Sequence, residues 1–401
     1  MDPTEIVNSL ATPEGRADPY PLYAALHETG EAVQIGSGDV IVIGYDAINA
    51  VLRDPEFRVS DQSVFDRMPG WQANAVLVQG ADWILNLNAP RHSRIRSLIA
   101  RAFTARRIAG MRPAIEAMAD KLLDTIANAG ADGSSVEFMH DFAYLLPVNV
   151  ICELIGIPER DREAFRPVAR DLAAVFELHD AATLPAINAA AIELLAYFTA
   201  LARQRRAAPR DDLLSDLLAI SDSGDGRLSD AELLHNLTLL LVAGFETTTN
   251  LLGNGLQIIL ADPPAGDAVR DGSVSAPAFV EEVLRFDSPV QLTSRIGYDT
   301  VLADVPVSAH TEVITLLGAG NRDPRRFASP GRFDALRADG GPLSFGGGAH
   351  FCIGAALARL EGSVAFPRLL NRFPKISAAG EPIRRDTLVL RGFDELPIAV
   401  A

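Results

Sequence analysis

One long helix constrains the fold of this chain more than any other feature of its sequence. Ser229-Asp230-Ala231-Glu232 is a capping box, in which Ser229 accepts a hydrogen bond from the third helical amide and Glu232 reaches back. The helical pattern then continues to Ala261, where Asp262-Pro263-Pro264 ends it. About 32 residues at about 1.5 Å per residue give a rod of about 48 Å, so the helix crosses a whole domain.

The middle of this helix departs from ordinary helix composition. Gly244 costs ~1 kcal/mol relative to alanine in a helix interior. Thr247, Thr248 and Thr249 follow as three β-branched residues in succession, which are poor helix formers. We therefore expect a local opening near Gly244. A helix with one polar face would also explain the pattern, although local departures from the rules are typical of functional sites.

Helical patterns dominate the rest of the chain, and strand patterns lie near both ends. Segments 31–43, 300–317 and 382–400 have strand character, whereas most of 91–219 consists of helices broken at glycine and proline. Segment 58–80 has no clear period and carries apolar side chains, which indicates either a binding loop or a loop over the core. We predict a mainly α fold with small β-sheets, in one domain over residues 1–401.

Composition excludes several classes of function. The 401 residues carry a net charge of −16, which makes nucleic acid an unfavourable partner. Only Cys152 and Cys352 occur, so a disulfide framework is not indicated. The N-terminal stretch lacks the basic and apolar regions of a signal peptide, and the apolar runs fall short of the ~18 residues that a membrane span needs. We expect a soluble, cytoplasmic protein that binds neither nucleic acid nor a membrane.

A glycine-rich loop near the C-terminus, Phe345 to Gly354, carries the most specific pattern. Three consecutive glycines allow the backbone to approach a flat ligand closely. Cys352 follows just before an apolar helix, whose amide end favours the thiolate. A lone cysteine is more often a small buried apolar residue. A phosphate loop is not indicated, because no Lys-Ser or Lys-Thr follows the glycines and no strand leads into them.

The order Phe-Gly-x-Gly-x-His-x-Cys-x-Gly resembles the cysteine-ligand loop of the cytochrome P450 superfamily, the haem-thiolate monooxygenases. The helix sequence from Ala243 to Thr248 resembles the oxygen-binding groove of the same superfamily. The resemblance implies a cytochrome P450 fold with the long helix over a haem b, and Cys352 as the iron ligand. It also implies that Glu246 and Thr247 direct protons to dioxygen. Further haem contacts are implied at Ala243, Gly244, Phe345, Gly346 and Gly354.

Two further segments support the resemblance. Asn88 to Arg96 resembles the segment that contacts the haem propionates, which implies His92 and Arg96 as donors, with Arg295 and His350 from elsewhere in the chain. Glu282-x-x-Arg285 and the later Pro330-Gly331-Arg332-Phe333 resemble the folding core of the superfamily. The implied role of Glu282, Arg285 and Arg332 is structural. Departures occur at Ser308-Ala309-His310, where Pro-Ala-Gly is usual, and at 262–277, where helix is usual.

The implied activity is hydroxylation or epoxidation of a hydrophobic small molecule, with polyketides and macrolides as weak candidates. Because no flavin or iron-sulfur motif occurs, the electrons are expected from a ferredoxin and reductase, and the arginine-rich stretch 91–107 is a candidate docking surface. Alternatives are oxidative phenol coupling, a peroxide-driven oxygenase, and a non-catalytic haem scaffold that binds a carrier protein or another enzyme. A carrier protein that bears the substrate is a further candidate partner of the enzyme. The pocket candidates are Val76, Leu77, Val175, Phe176, Leu239, Val290 and Leu292.

Overall fold

The computed structural model describes residues 2–61, 65–67, 69–177, 183–223 and 228–401. The helices are α1 (Pro3–Leu10), α2 (Pro13–Ala17), α3 (Tyr20–His27), α4 (Tyr45–Arg53), α5 (Ala75–Gly80), α6 (Arg91–Ala102), α7 (Ala105–Gly110), α8 (Arg112–Ala129), α9 (Leu145–Ile155), α10 (Glu159–Ala173), α11 (Leu184–Ala207), α12 (Leu213–Asp222), α13 (Asp230–Ala261), α14 (Pro263–Arg270), α15 (Ala276–Phe286), α16 (Leu317–Gly320) and α17 (Ala355–Arg372). The strands are β1 (Ala32–Gln34), β2 (Val40–Val42), β3 (Val136–Glu137), β4 (Thr293–Ile296), β5 (Thr300–Leu302), β6 (Val305–Val307), β7 (Glu312–Thr315), β8 (Ile376–Ala378), β9 (Ile383–Arg384), β10 (Phe393–Glu395) and β11 (Pro397–Val400). The predicted irregular segment 58–80 lies partly outside the described residues.

The chain divides into two compact units. Unit 1 comprises Met1–Arg58, Ala119–Ala143 and Thr247–Ala401, and unit 2 comprises Val59–Met118 and Tyr144–Glu246. Within the described residues, every strand belongs to unit 1, and unit 2 is helical. The prediction of a mainly α fold with strands near both ends is thereby confirmed. The prediction that residues 1–401 form one domain stays a prediction.

The largest sheet of unit 1 has the strand order β1-β2-β7-β4, with β2 and β7 parallel and the other pairs antiparallel. Its strands alternate their side chains between two apolar clusters, as the period of two requires. Val40 and Val42 pack with α4, whereas Ile41 and Ile43 pack with α1 and α3. The sheet is therefore covered on both faces, which explains why β2 is apolar at every position.

Two segments that depart from the superfamily pattern nevertheless fold regularly. His310 adopts φ 70°, a left-handed conformation that favours glycine, and Thr311 N–H still donates to the Ser308 carbonyl at 3.2 Å. The hairpin turn before β7 therefore forms without the usual glycine. The proline-rich start of segment 262–277 forms α14, with its prolines at the first helical positions, where no amide partner is lost.

Unit 2 is built on packed helices joined by tight connections. Helix α9 ends at Ile155 and is capped by Gly156, whose φ of 97° suits glycine, and a Cβ there would overlap the Asp212 side chain. Asp212 accepts a hydrogen bond from Arg205 at 2.6 Å and caps α12 through the Ser215 amide at 2.8 Å. Among the described helices, α11 is long and apolar enough to cross a membrane by length and composition, which is weak evidence for a span.

The long helix α13 has the bounds predicted from the sequence. The Glu232 amide donates to Ser229 Oγ at 3.2 Å, and the Ser229 amide donates to Glu232 Oε2 at 3.1 Å, so the capping box is present. The expected opening near Gly244 is wrong, because the helix is continuous from Asp230 to Ala261. Burial of its apolar residues outweighs the weak helix propensity of the central glycine and threonines.

Candidate functional site

The cysteine loop of unit 1 is a compact turn held by its own backbone. The Gly346 amide donates to the Leu343 carbonyl at 2.7 Å, and the Cys352 amide donates to the Phe345 carbonyl at 2.9 Å. Cys352 is exposed, and its sulfur is not part of a disulfide. The Gly354 amide region begins α17 directly after it, and a Cβ at Gly354 would lie 3.8 Å from the sulfur. The loop therefore presents one thiol beside the amide end of a helix, the environment that favours a thiolate.

Glycine is required in this loop for two different reasons. Gly346 and Gly348 have φ values of 68° and 62°, which other residues adopt only with strain. A Cβ at Gly348 would in addition overlap the carbonyl oxygen of Leu52, at the end of α4. At Gly346 the corresponding space is open. The loop backbone is therefore in close contact with α4 at Gly348, whereas at Gly346 there is space for a side chain.

Aromatic and cationic side chains surround the start of the loop. The Arg359 guanidinium lies 4.4 Å from the centre of the Phe345 ring and forms an ion pair with Glu281. The Phe345 and Phe351 rings lie 6.3 Å apart, and Phe351 is exposed. Phe345 is therefore held on one side by a cation, which fixes the entry to the glycine turn.

Arg295 is a buried cation on β4 of unit 1. Its guanidinium donates to the Ser294 carbonyl at 2.7 Å and contacts Thr293 Oγ1 at 3.4 Å, and it forms no ion pair with a carboxylate of the described residues. Burial lowers its pKa to about 10. A buried arginine without a carboxylate is costly unless an anion is supplied. This residue therefore fits an external carboxylate.

In unit 2, His92 and Arg96 lie four residues apart on α6, on the same side of the helix. His92 is buried, and burial together with the charge of Arg96 lowers its pKa. The imidazole is consequently neutral near neutral pH. It is suited to donate one directional hydrogen bond, while Arg96 supplies the positive charge.

The other arginines at the start of α6 are engaged within unit 2. Arg94 donates to both oxygens of Glu232, at 2.6 and 3.1 Å, and Arg91 donates to Glu232 at 3.1 Å and pairs with Asp82. Asp82 also contacts His235 Nδ1 at 2.7 Å. Arg107 pairs with Asp211 and Asp216. Arg101 and Arg106 are exposed and form no ion pair with any residue that the structure describes.

Helix α13 has a narrow accessible stripe in its middle. Ala243, Gly244 and Thr247 are partly exposed, at the spacing of one helical side, whereas Phe245 and Glu246 between them are buried. A Cβ at Gly244 would lie 2.8 Å from Ile151 of α9. The glycine therefore permits close packing of two helices of unit 2, a role that the sequence pattern did not indicate.

Comparison with known proteins decides the family. The family model described as Cytochrome P450 matches residues 32–273 and 276–389. The chain is a cytochrome P450. It is 35% identical to 6-deoxyerythronolide B hydroxylase of Saccharopolyspora erythraea, with 98% of both chains covered. It is 39% identical to cytochrome P450 monooxygenase PikC of Streptomyces venezuelae, with 95% of this chain and 91% of the relative covered.

Solved structures agree with the family assignment. One is P450BioI in complex with an acyl carrier protein that is ligated to hexadec-9Z-enoic acid. It is 33% identical, the match covers 97% of this chain and 100% of that chain, and the TM-score is 0.90. Cytochrome P450 PksS of the Bacillus subtilis 168 bacillaene polyketide synthase is 32% identical, with 97% of this chain and 98% of that chain covered and a TM-score of 0.86. This P450 is therefore a monooxygenase with the cytochrome P450 fold, and the family implies a haem-iron cofactor.

The chain has residues that fit a haem. The exposed thiol of Cys352 suits an iron ligand, and the glycine turn lets the backbone approach a flat ring. Arg295, buried without a carboxylate, suits a propionate. His350 is half-buried within the cysteine loop, and His92 and Arg96 supply a hydrogen-bond donor and a cation in unit 2.

The structure corrects one residue of the predicted folding core. Glu282 accepts two hydrogen bonds from Arg285, both at 2.7 Å, as predicted. The third member is Arg337, whose Nε lies 3.5 Å from Glu282 Oε1, and not Arg332. The exposed Arg332 contributes only its backbone carbonyl, which accepts from Arg285 at 3.0 Å and from Arg337 at 3.2 Å. No sequence signal separates these arginines, because their segment has no helix or strand period that would direct a side chain.

The predicted pocket residues have different surroundings in the two units. In unit 2, Val76 and Leu239 are buried, whereas Leu77, Val175 and Phe176 are half-buried. In unit 1, Val290 packs on the same cluster as α4, and Leu292 packs on the cluster of α1 and α3. These two side chains therefore lie on different sides of their segment. The pocket assignment stays a prediction for all seven residues.

Proposed function

We propose that this P450 hydroxylates or epoxidises a hydrophobic molecule of bacterial secondary metabolism, with polyketides and macrolides as the substrate class. Two relatives support this class by their names, a 6-deoxyerythronolide B hydroxylase and the cytochrome P450 of the bacillaene polyketide synthase. The proposal rests on one structural observation, the exposed Cys352 thiol in a turn of positive-φ glycines. A titration of the haem spin state with macrolide aglycones, steroids and fatty acids tests the substrate class.

In this proposal Cys352 would hold the haem iron through its thiolate, and His92, Arg96, Arg295 and His350 would hold the propionates. The bound haem supplies dioxygen activation and the oxidising power for attack on carbon. Arg295 pairs with a propionate, which compensates its burial. The neutral His92 donates a hydrogen bond, and Arg96 adds a charge. Phe345, Gly346 and Gly354 would form the turn beside the ring, and Ala243 and Gly244 would contact it from the partly exposed stripe of α13.

Glu246 and Thr247 form the proton relay. Glu246 is buried and Thr247 beside it is partly exposed, so the carboxyl lies away from water while Thr247 belongs to the accessible stripe of α13. This arrangement suits delivery of protons through the hydroxyl, and it argues against a peroxide-driven oxygenase. Oxidative phenol coupling remains an alternative at the same centre, and a haem scaffold without catalysis is the alternative outside the enzyme class.

We further propose that the electrons come from a separate ferredoxin in the cytoplasm. Exposed Arg101 and Arg106 offer positive charge to an acidic donor, since neither is paired with a described carboxylate. A carrier-bound substrate is a second candidate, because the similar P450BioI structure holds a fatty acid on an acyl carrier protein. Spin-state titration with the free and the carrier-bound form of one acyl chain distinguishes these modes: a response to the carrier-bound form alone favours the carrier.

The ligand assignment is tested by Cys352→His. Only a thiolate ligand gives the red-shifted Soret band of the reduced carbon-monoxide complex. The variant is expected to lose that band and the monooxygenase activity even where it binds haem. Cys352→Ser is a weaker test, because a hydroxyl or water can bind in place of the sulfur. A red-shifted band in the histidine variant would contradict the assignment.

The relay is tested by Thr247→Ala and Glu246→Gln. Slower or misdirected proton delivery releases reduced oxygen as peroxide, so both variants are expected to consume NAD(P)H with less product, at unchanged haem content. Thr248→Val is the matched control, because Thr248 is buried and points about 100° further around the helix. Unchanged product per NAD(P)H in both test variants would overturn the relay.

A further inference from the structure

The residues that lead into the cysteine loop are attached to a buried cluster of neutral polar groups in unit 1. Ser344, directly before Phe345, lies at its centre. Its hydroxyl donates to the Leu284 carbonyl at 2.6 Å, accepts from Asn321 Nδ2 at 2.9 Å and lies 2.8 Å from Ser288 Oγ. Ser288 and Asn321 are fully buried, and Ser344 is nearly so. One hydroxyl therefore joins the end of α15 to the start of the loop.

Asn321 attaches two consecutive residues of the loop entry. Its side-chain oxygen accepts from the Leu343 amide at 2.7 Å, and its side-chain nitrogen donates to Ser344. Its backbone is fixed as well: the carbonyl accepts from Arg285 at 3.0 Å, and the amide donates to the Leu317 carbonyl at 2.9 Å. Because both ends of this side chain are used, its replacement leaves buried groups unsatisfied on two sides.

Only a few backbone hydrogen bonds separate this cluster from the thiol. The Leu343 carbonyl accepts from the Gly346 amide, and the Phe345 carbonyl accepts from the Cys352 amide. Residues 343 and 344 are thus fixed by Asn321, and they fix the turn that orients Cys352. The side chains of Asn321, Ser288 and Ser344 are uncharged and do not titrate, so the geometry of this path does not depend on their protonation.

We propose that Asn321 and Ser344 are positioning residues for Cys352, which set the direction from which its sulfur reaches the haem iron. This proposal rests on the proposed assignment of Cys352 as the ligand. Loss of either side chain loosens residues 343–346, and a thiolate with more freedom leaves the iron or takes up a proton more readily. The inference assigns a function in ligation to two residues outside the cysteine motif.

The experiment compares Asn321→Ala and Ser344→Ala with Asn236→Ala in the reduced, carbon-monoxide-bound holoenzyme. Asn236 is a matched control in unit 2, because it is buried and its side chain makes three hydrogen bonds, with Asp82, Glu232 and Ile84. The Asn321 side chain likewise makes three, with Leu343, Ser344 and, at 3.5 Å, the Leu284 carbonyl. The half-life of the red-shifted Soret band in mild urea is measured beside the midpoint of global unfolding by circular dichroism. Both midpoints and half-lives are expressed relative to the wild type.

We expect both test variants to shorten the half-life of the band about fivefold, the factor that corresponds to one buried hydrogen bond. Asn236→Ala is expected to lower the unfolding midpoint about as much as the two test variants do, but to keep the wild-type half-life of the band. Ser344→Thr, which retains the hydroxyl, is expected to restore most of the half-life. Should an alanine variant fail to fold, Asn321→Asp tests the same point, because it keeps the acceptor for the Leu343 amide and loses the donor to Ser344.

Half-lives of the test variants equal to that of Asn236→Ala would overturn the positioning role. The Cys352→His variant separates this failure from a failure of the ligand assignment. If Cys352→His loses the red-shifted band, while Asn321→Ala and Ser344→Ala keep the band with its wild-type half-life, only the positioning role is wrong. If Cys352→His keeps the band, the ligand assignment is wrong and the positioning proposal falls with it.

Discussion

The cysteine loop of unit 1 and helix α6 of unit 2 carry predicted haem contacts but are held in opposite ways. Neutral hydrogen bonds from Asn321 and Ser344 and the contact of Gly348 with Leu52 hold the loop. Ion pairs of Arg91 and Arg94 hold the start of α6. Neutral buried hydrogen bonds depend little on salt or acid, whereas partly exposed ion pairs depend on both.

The comparison indicates which kind of support suits which task. A ligand that must hold one geometry benefits from groups whose state does not change with conditions. A helix that also presents cations to carboxylates or to a partner protein uses charged groups both for its support and for its binding. The two regions should therefore differ in how substitutions, acid and salt affect them.

The largest effect is expected at Arg337, whose buried ion pair with Glu282 is a charged contact in unit 1, the unit in which neutral hydrogen bonds hold the cysteine loop. Its side chain is nearly buried and contacts Glu282, Asp339 and the Ala328 carbonyl. Arg337→Ala leaves Glu282 with one cation fewer, and breaking such a buried pair costs about 3–5 kcal/mol. Urea unfolding measures this. Arg332→Ala is the control, expected within about 0.5 kcal/mol of the wild type because only its backbone is used. Equal losses in both variants would restore the sequence-based assignment.

The two strained glycines of the loop give the next effect. Gly346→Ala is expected to cost about 1–2 kcal/mol, the strain of a left-handed backbone. Gly348→Ala adds overlap with the Leu52 carbonyl, and overpacking costs about 1–3 kcal/mol more. Unfolding free energy and haem content measure both variants. Equal costs would show that α4 does not confine the loop, which would weaken the comparison.

Acid should affect α6 through Glu232. Burial raises the pKa of Glu232, but hydrogen bonds from Arg94, the Ser229 amide and Arg91 outweigh it and lower the pKa to about 2. Because the folded-state pKa lies below the ordinary value of 4.5, the stabilisation is present above that value and is lost as the pH falls towards 2. Glu232→Gln should cost about 1 kcal/mol at neutral pH and almost nothing at about pH 2. Unfolding free energies at both pH values measure this; a cost independent of pH would contradict it.

The smallest effect on stability and the clearest salt dependence are expected at Arg101 and Arg106. Reversal of either to Glu should slow reduction by a ferredoxin several-fold at low ionic strength, with no change in the unfolding midpoint, since charge mainly sets the encounter rate. Stopped-flow reduction measures the rate. Arg160→Glu, an exposed charge reversal on α10, is the control. Arg94→Glu is unsuitable, because it breaks the pair with Glu232. Rates insensitive to salt and to both test variants would place the donor elsewhere.

The sequence by itself determined the features that follow from local periodicity and from one specific motif. The capping box and the double proline set the bounds of α13, and the strand character of segment 31–43 predicted β1 and β2. The spacing around Cys352 indicated the family, because each fixed position of the motif has a chemical requirement. These are local properties, since a cap, a turn or a period is complete within a few residues.

Only the tertiary structure decided which distant residues meet. Arg337 and not Arg332 reaches Glu282, Arg94 is engaged by Glu232, and Gly244 makes room for Ile151. Asn321 and Ser344 meet although 23 residues separate them. No local pattern encodes these contacts, because each depends on side-chain directions in irregular segments or on the packing of elements far apart in sequence. Burial then makes every such contact energetically significant, since a polar group without water must find its partner within the fold.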